Sequence, residues 1–510
     1  MENKLTKRTW LNIIVFSFMG GIAWNLENMY FNTFLYDSIY EGVSKAQLQQ
    51  WGVMAPSTAV SRMVAFSAIT AVATTFIMGT LSEKMKKRKV FISVGYIIWG
   101  VITAAFGFIS KGNIAALFGL SDEANILLYT IWAVIIMDMV MTFMGSTSND
   151  SAFNAWTTDV TNPVVRPTVE TVLLFVGLVA MLAVMGVGSL CQGKVISYQV
   201  FFLVLGIIVS LSGVFGLFAL QDPEIKGEKT NSSYWSDLFY GFRPSVVKEN
   251  TKLYLALAAI CIYNVAIQVF FPYLFVYLGS VIIPGAVFDA KTIVVAVAAV
   301  AGLAMGIILL LKASGKDKTG AYIVTIVLFI AGLAVLSTST NIIVVLIGIA
   351  PTLIGYVVLQ IQLNASVRDY IPEDKVGLFQ GIRMIFFVLI PMVVGPWLGD
   401  IAIRSSNFTI MEYGEPKEVP STSMFFYASI IALLIFVPLF LLTKKDPSGN
   451  KNKNKFIIAI IISVVLIVAM TALKGFMPAG AVMTPTDAVM TATDATAVTE
   501  IVETTAALVQ

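Results

Sequence analysis

The sequence contains no histidine. That absence removes the commonest metal ligand and the usual side-chain proton relay near neutral pH. Any proton this chain carries must be held by carboxylates, and no metal site is expected. Cysteine is nearly absent too: Cys191 and Cys261 both lie in or beside apolar stretches, which gives no disulfide framework. Charge is scarce, with Asp, Glu, Lys and Arg together at 12%, and nothing points to a nucleic-acid partner. The chain has no P-loop, nucleophile elbow or His-based metal motif, so it does not read as an enzyme and no cofactor is implied.

Apolar length is what the chain has instead. Hydrophobic residues make up 57% of 510, and the mean hydropathy is +0.85. Spanning stretches fall near 11–36, 53–80, 90–110, 126–148, 169–191, 200–220, 253–277, 292–312, 321–338, 342–365, 381–403 and 423–443. Each approaches the roughly 20 residues a bilayer requires; they are numbered here as segments 1 to 12. A thirteenth, Phe456 to Leu473, carries no charge. The longest polar break, Gln221–Lys252, divides the twelve into six and six.

The fold class is therefore an all-α polytopic membrane protein. Residues 1–220 form one six-helix bundle, 221–252 a cytoplasmic central loop and 253–443 a second six-helix bundle. Residues 444–473 hold a basic linker and an extra transmembrane helix, with a disordered, acidic Thr/Ala-rich tail over 474–510. The basic N-terminus imitates a signal peptide, but no A-x-A-like site follows, so segment 1 reads as an uncleaved helix.

Positive charge sets the orientation. Of the 33 Lys and Arg, 25 fall on the side that holds the N-terminus, seven fall opposite, and Arg62 lies within segment 2. The expectation is a multi-pass protein of the cell membrane with a cytoplasmic N-terminus, acting as a monomer.

Glu27 sits about 15 Å deep in segment 1, where an uncompensated carboxylate costs several kcal/mol. Such residues usually mark an ion or substrate path. Arg62 and Asp138 fall at a similar depth, and two carboxylates with one guanidinium leave one negative charge for a proton or monovalent cation. Polar faces recur on segments 1, 4, 7 and 10. They comprise Asn25, Asn28 and Asn32 with Glu27 and Tyr30; Asp138, Thr142, Ser146 and Asn149; Asn264 and Gln268; and Thr352, Tyr356, Gln360 and Asn364. One such stripe is as well explained by amides bonding neighbouring helices. Four in register, the first of every three segments, predict nested repeats around a central cavity. Tyr30, Asn149, Asn264, Gln268, Tyr356, Gln360 and Asn364 are the expected solute contacts, since rings stack on a sugar's apolar face while amides meet its hydroxyls.

The run Gly79-Thr80-Leu81-Ser82-Glu83-Lys84, followed by Lys87-Arg88-Lys89, resembles the G-x-L-a-D-R-x-G-R-R signature of the major facilitator superfamily. Glu83 replaces its Asp, Lys84 its Arg, and Lys86 its second Gly. Three stretches resemble the glycoside–pentoside–hexuronide:cation symporter branch: NDSAFNAWTTDVTNPVVRPTVE (149–170), DLFYGFRPSVVKENTKLYLALAA (237–259) and SVRDYIPEDKVGLFQGIRM (366–384). The resemblance covers roughly 10–443. It implies two six-helix bundles, alternating access, a sugar or glycoside as solute, and H⁺ or Na⁺ coupling. The sodium-coupled members carry two Asp on segment 2 where this chain has Thr75 and Ala71, so their cation site is not carried over and Glu27 would have to replace it. The expected cytoplasmic gate draws on Gly79, Glu83, Lys84, Arg88, Asp159, Arg166, Arg368, Asp369 and Arg383. Other readings of the same pattern are a transporter of another solute or a lipid headgroup, or a non-transporting sensor or scaffold.

Overall fold

The computed structural model describes residues 5–85, 87–161, 165–222, 242–282, 318–371, 379, 382–444 and 449–474. Segment 8, most of the central loop and the tail beyond 474 lie outside the described residues, as do the side chains of Glu83, Lys84, Arg166 and Arg368. Among the described residues, ten helices are long and apolar enough to cross a membrane: Lys7–Ile39, Pro56–Gly79, Arg88–Phe106, Glu123–Val160, Tyr198–Ala219, Thr251–Ile282, Ile342–Val367, Ile382–Ser406, Ser423–Leu442 and Asn454–Leu473. These are segments 1–4, 6, 7 and 10–13. The shorter apolar helices Phe175–Cys191 and Gly320–Leu336 are segments 5 and 9. The chain is a multi-pass, all-α membrane protein.

Local chemistry starts these helices where expected. Asp122, Ser197 and Asn341 cap segments 4, 6 and 10, their side chains accepting from the N–H groups of Asn125, Val200 and Ile343. Small residues then set the spacing. A side chain at Gly100 or Gly206 would collide with the backbone of the facing helix, so segments 3 and 6 approach backbone to backbone. Gly21 leaves room for the Ala180 methyl and draws segment 1 onto segment 5.

Segments 1–6 form one half and segments 7 and 9–12 the described part of the other; they meet through segment 2 against segment 11 and segment 1 against segment 7. A two-stranded hairpin, Thr409–Glu412 paired with Glu415–Glu418, follows segment 11. Its turn is Tyr413-Gly414, both in the left-handed region at φ 53 and 82, as a tight hairpin requires. We call this side of the molecule the hairpin end and the side bearing Lys7 the terminus end. Hydrogen bonds tie the halves at the hairpin end. Ser57 Oγ donates to Asp400 at 2.7 Å, Lys45 Nζ to Asn407 at 2.8 Å and Tyr413 Oη to Glu41 at 2.9 Å.

Segment 13 belongs to a helix running Gly449–Leu473, packed along segments 9 and 12. Phe456, Ala459, Ser463 and Ile467 form its buried face, and Phe456 meets the rings of Phe436 and Phe440. Ile457, Ile461, Val465 and Val468 point outward, where a bilayer would cover them.

Candidate functional site

Five stretches of the described helices are wound as wide π turns: Glu27–Phe31, Leu35–Ile39, Ser146–Phe153, Leu278–Ile282 and Ile385–Leu389. Such turns rotate the residues beyond them and often accompany functional sites. Glu27 opens the first, and a cavity of about 20 Å³ lies beside it. The first half lines that cavity with Glu27, Asn28, Asn32, Ser67 and Asp138, and the second half with Gln268, Phe271, Pro272 and Met392.

Glu27 and Asp138 are brought together, joined through two hydroxyls. Ser67 Oγ bonds Asp138 Oδ2, Ser67 Oγ and Thr142 Oγ1 lie 2.9 Å apart, and Thr142 Oγ1 donates to Glu27 Oε1 at 2.9 Å. Both carboxylates are buried, at 8% and 2% exposure, and among the described residues Glu27 Oε2 and Asp138 Oδ1 have no hydrogen-bond partner. Three oxygen–oxygen contacts need three protons, and the hydroxyls supply two. One proton on either carboxyl completes the chain. Reversing the direction of the hydroxyls moves that proton from Asp138 to Glu27.

Arg62 does not join them. It is exposed, its Nη1 lies 3.9 Å from Met54 Sδ, and it lines a separate cavity at the hairpin end. Equal depth does not by itself bring side chains together. Five residues along a helix turn the side chain by roughly 140°, so it is Ser67 rather than Arg62 that faces the carboxylates.

The expected solute contacts divide. Gln268 lines the shared cavity. Asn264 is half-buried and its Nδ2 donates to Phe387 O at 3.3 Å, bridging segments 7 and 11. Tyr356 is 38% exposed beside Tyr263, Gln360 is half-buried, and Asn364 donates to Gln360 O at 2.7 Å. Asn149 is engaged at both amide atoms: Oδ1 accepts from Trp24 Nε1 at 3.3 Å, and Nδ2 donates to Tyr96 Oη at 2.6 Å. Tyr30 is buried at 2% exposure over Gly188, its hydroxyl donating to Met185 O at 3.1 Å, so it packs segments 1 and 5 together in this arrangement. The Asn25, Asn28 and Asn32 side chains donate to carbonyls four residues back on their own helix. Asp150 escaped the sequence reading. It continues the face of Asp138, Thr142 and Ser146 at four-residue spacing, and Ser146 Oγ donates to it at 3.0 Å.

At the terminus end, Arg88 Nε lies 3.3 Å from Asp159 Oδ2, and its Nη1 donates to Ser82 Oγ at 2.6 Å. Ser82 in turn donates to the carbonyl of Gly79 at 3.0 Å. Asp369 is exposed, and Arg383 lies over the Phe387 ring, 4.9 Å from its centroid.

No curated protein matches the chain. Solved structures share its fold. A nucleoside transporter, NupG, superposes with a TM-score of 0.56 at 14% identity over 86% of this chain and 100% of that one. A bacterial homologue of the human lysosomal transporter Spinster, inward-facing and unoccupied, gives 0.55 at 11% identity over 92% and 97%. The sequence profile described as Major Facilitator Superfamily matches residues 9–396. Coverage of that extent, on a fold of two helical halves meeting at a polar cavity, shows that the chain belongs to the Major Facilitator Superfamily, a family of membrane transporters.

Proposed function

We propose that the protein is a secondary transporter that moves a small polar solute, a sugar or glycoside, by alternating access, coupled to one proton held between Glu27 and Asp138. The observation that carries this reading is the Glu27–Thr142–Ser67–Asp138 chain, which is one proton short of complete and opens on a cavity lined by both halves. A charge in that cavity is costly while the halves enclose it. Protonation lowers the cost, so proton occupancy and the meeting of the halves become linked. The three stretches that resemble glycoside–pentoside–hexuronide:cation symporters support a sugar. The Lys and Arg distribution supports a cytoplasmic terminus end, and the hairpin-end hydrogen bonds then correspond to a closed external gate.

Uptake of labelled sugars, glycosides and nucleosides into proteoliposomes, under an imposed pH or Na⁺ gradient, tests the proposal. Proton-driven accumulation of a sugar that Glu27→Gln abolishes is the expected result. Absence of gradient-driven uptake of every solute would overturn transport, Na⁺ dependence would overturn proton coupling, and full accumulation by Glu27→Gln would overturn the site.

A further inference from the structure

A second cavity, of about 620 Å³, opens at the hairpin end where the two halves meet. Its volume falls in the range of about 300–1,000 Å³ usual for small-molecule sites. The first half contributes Lys45, Arg62 and Trp132, and the second Arg404, Asn407 and Glu418. Three cations therefore face one carboxylate in its walls.

The charges pair unequally. Arg404 Nε lies 3.3 Å from Asp400 Oδ1, behind the wall, where Ser57 and Thr58 also donate to that carboxylate. Lys45 attracts Glu418 across the cavity while its Nζ donates to Asn407 at 2.8 Å. Glu418 is drawn inward, buried at 4% exposure and bonded to Ser57 at 3.1 Å. Arg62 is left over. Its guanidinium lies against the neutral Met54 thioether and near the Tyr40 hydroxyl, and among the described residues no carboxylate pairs with it. A planar, always-charged fork with no carboxylate, set in a roomy cavity with an indole wall, suits a carboxylate on an apolar body.

We propose that this cavity binds a small organic carboxylate through Arg62, and that the bound anion holds the halves together at the hairpin end. Its contacts come from both halves and exist together only while that end is closed. By linkage the anion favours the closed arrangement by as much as it prefers that arrangement over the open one. The site is separate from the Glu27 cavity, with which it shares no lining residue.

The test is calorimetric titration of the full chain, in phosphatidylcholine nanodiscs, with sodium benzoate. Saturable binding is expected, with benzyl alcohol failing to compete. Arg62→Gln should weaken it about tenfold or more, and Glu418→Gln should tighten it by removing the opposing carboxylate. Lys45→Gln serves as the second cation variant should Arg62→Gln unfold, and it should weaken binding in the same direction. Absence of saturable binding to the wild type, or unchanged affinity in the foldable cation variant, would overturn the proposal. Loss of benzoate binding on adding phosphatidylglycerol to the discs would also overturn it, by assigning the cavity to a lipid headgroup.

Discussion

Glu27 and Thr142, on segments 1 and 4, are joined by a 2.9 Å hydrogen bond whose hydroxyl also lies 2.9 Å from Ser67. Thr142 thus links one carboxylate to the path toward the other. Thr142→Val keeps the shape and removes the link, leaving a buried carboxylate oxygen unpaired at about 1–3 kcal/mol. Proton-driven accumulation should fall about tenfold or more, whereas Thr142→Ser should retain it. Equal accumulation by the valine and serine variants in the same vesicles would show that the hydroxyl chain carries no proton.

The Arg88–Asp159 pair predicts a different phenotype. Arg88 is buried, Asp159 is partly open, and Ser82 fixes the guanidinium from the other side. Removing the acceptor with Asp159→Asn should cost about 1.5–3 kcal/mol, the usual size for a hydrogen bond to a charged group. Thermal unfolding in detergent reads that loss directly. Restoration of stability by Arg88→Met in the Asp159→Asn background would confirm that an unpaired buried cation is the cause.

Tyr30 gives a packing prediction. Its ring lies over Gly188 and 5.2 Å from the Phe201 centroid, and its hydroxyl holds Met185 O. Tyr30→Phe should cost about 1 kcal/mol and keep solute affinity. Gly188→Val forces the ring out and should cost about 1–3 kcal/mol. A large loss of solute affinity in Tyr30→Phe, at unchanged melting temperature, would instead return Tyr30 to the solute path.

The fold was legible because segment length and charge placement are one-dimensional signals: 20 apolar residues must span, and Lys and Arg mark one side. Burial of Glu27 and Asp138 together was legible for the same reason, since depth follows from rise per residue. Direction around the helix was not. Arg62 and Ser67 differ by less than a turn and a half yet face different cavities. The π turns at 27–31 and 146–153 shift the register that a 3.6-residue period assumes. An intramembrane amide such as Asn149 announces need for a partner, not which partner. Trp24 and Tyr96, on two other helices, supply it.

Closure of the hairpin end should respond to pH through Glu418. Burial raises its carboxyl above the ordinary carboxylate range, while the Ser57 hydrogen bond and Lys45 pull the other way. A raised acid is protonated more readily in the closed state than when exposed. The closed state therefore binds more protons between the two values, and its stability falls as pH rises through that window. Cross-linking of Glu41→Cys with Tyr413→Cys should accordingly be more efficient in mild acid than at neutral pH. Glu418→Gln should flatten the profile; an unchanged profile in that variant would assign the dependence to another group.

Segment 13 supplies the last prediction. Its 20-residue span, Asn454–Leu473, extends about 30 Å as a helix, just the thickness of a hydrocarbon core. The helix docks through one face only, and the opposite face is a continuous run of Ile and Val. In lipid that docking gains nothing from water exclusion; it rests on van der Waals packing of Phe456, Ala459, Ser463 and Ile467 against segments 9 and 12, including the Phe436 and Phe440 rings. The described body, segments 1–7 and 9–12, should therefore stand without it. Deleting residues 449–510 should leave expression and melting temperature of the remainder nearly unchanged, and Phe456→Ala should cost about 1 kcal/mol or less, well below the 3–5 kcal/mol of a water-excluding core. Under the proposed orientation, with the terminus end cytoplasmic, a spanning helix carries Lys474 to the opposite side. A C-terminal epitope should then be cleaved by protease added to intact cells. Cleavage only after lysis would mean that the helix lies along the body without crossing the bilayer.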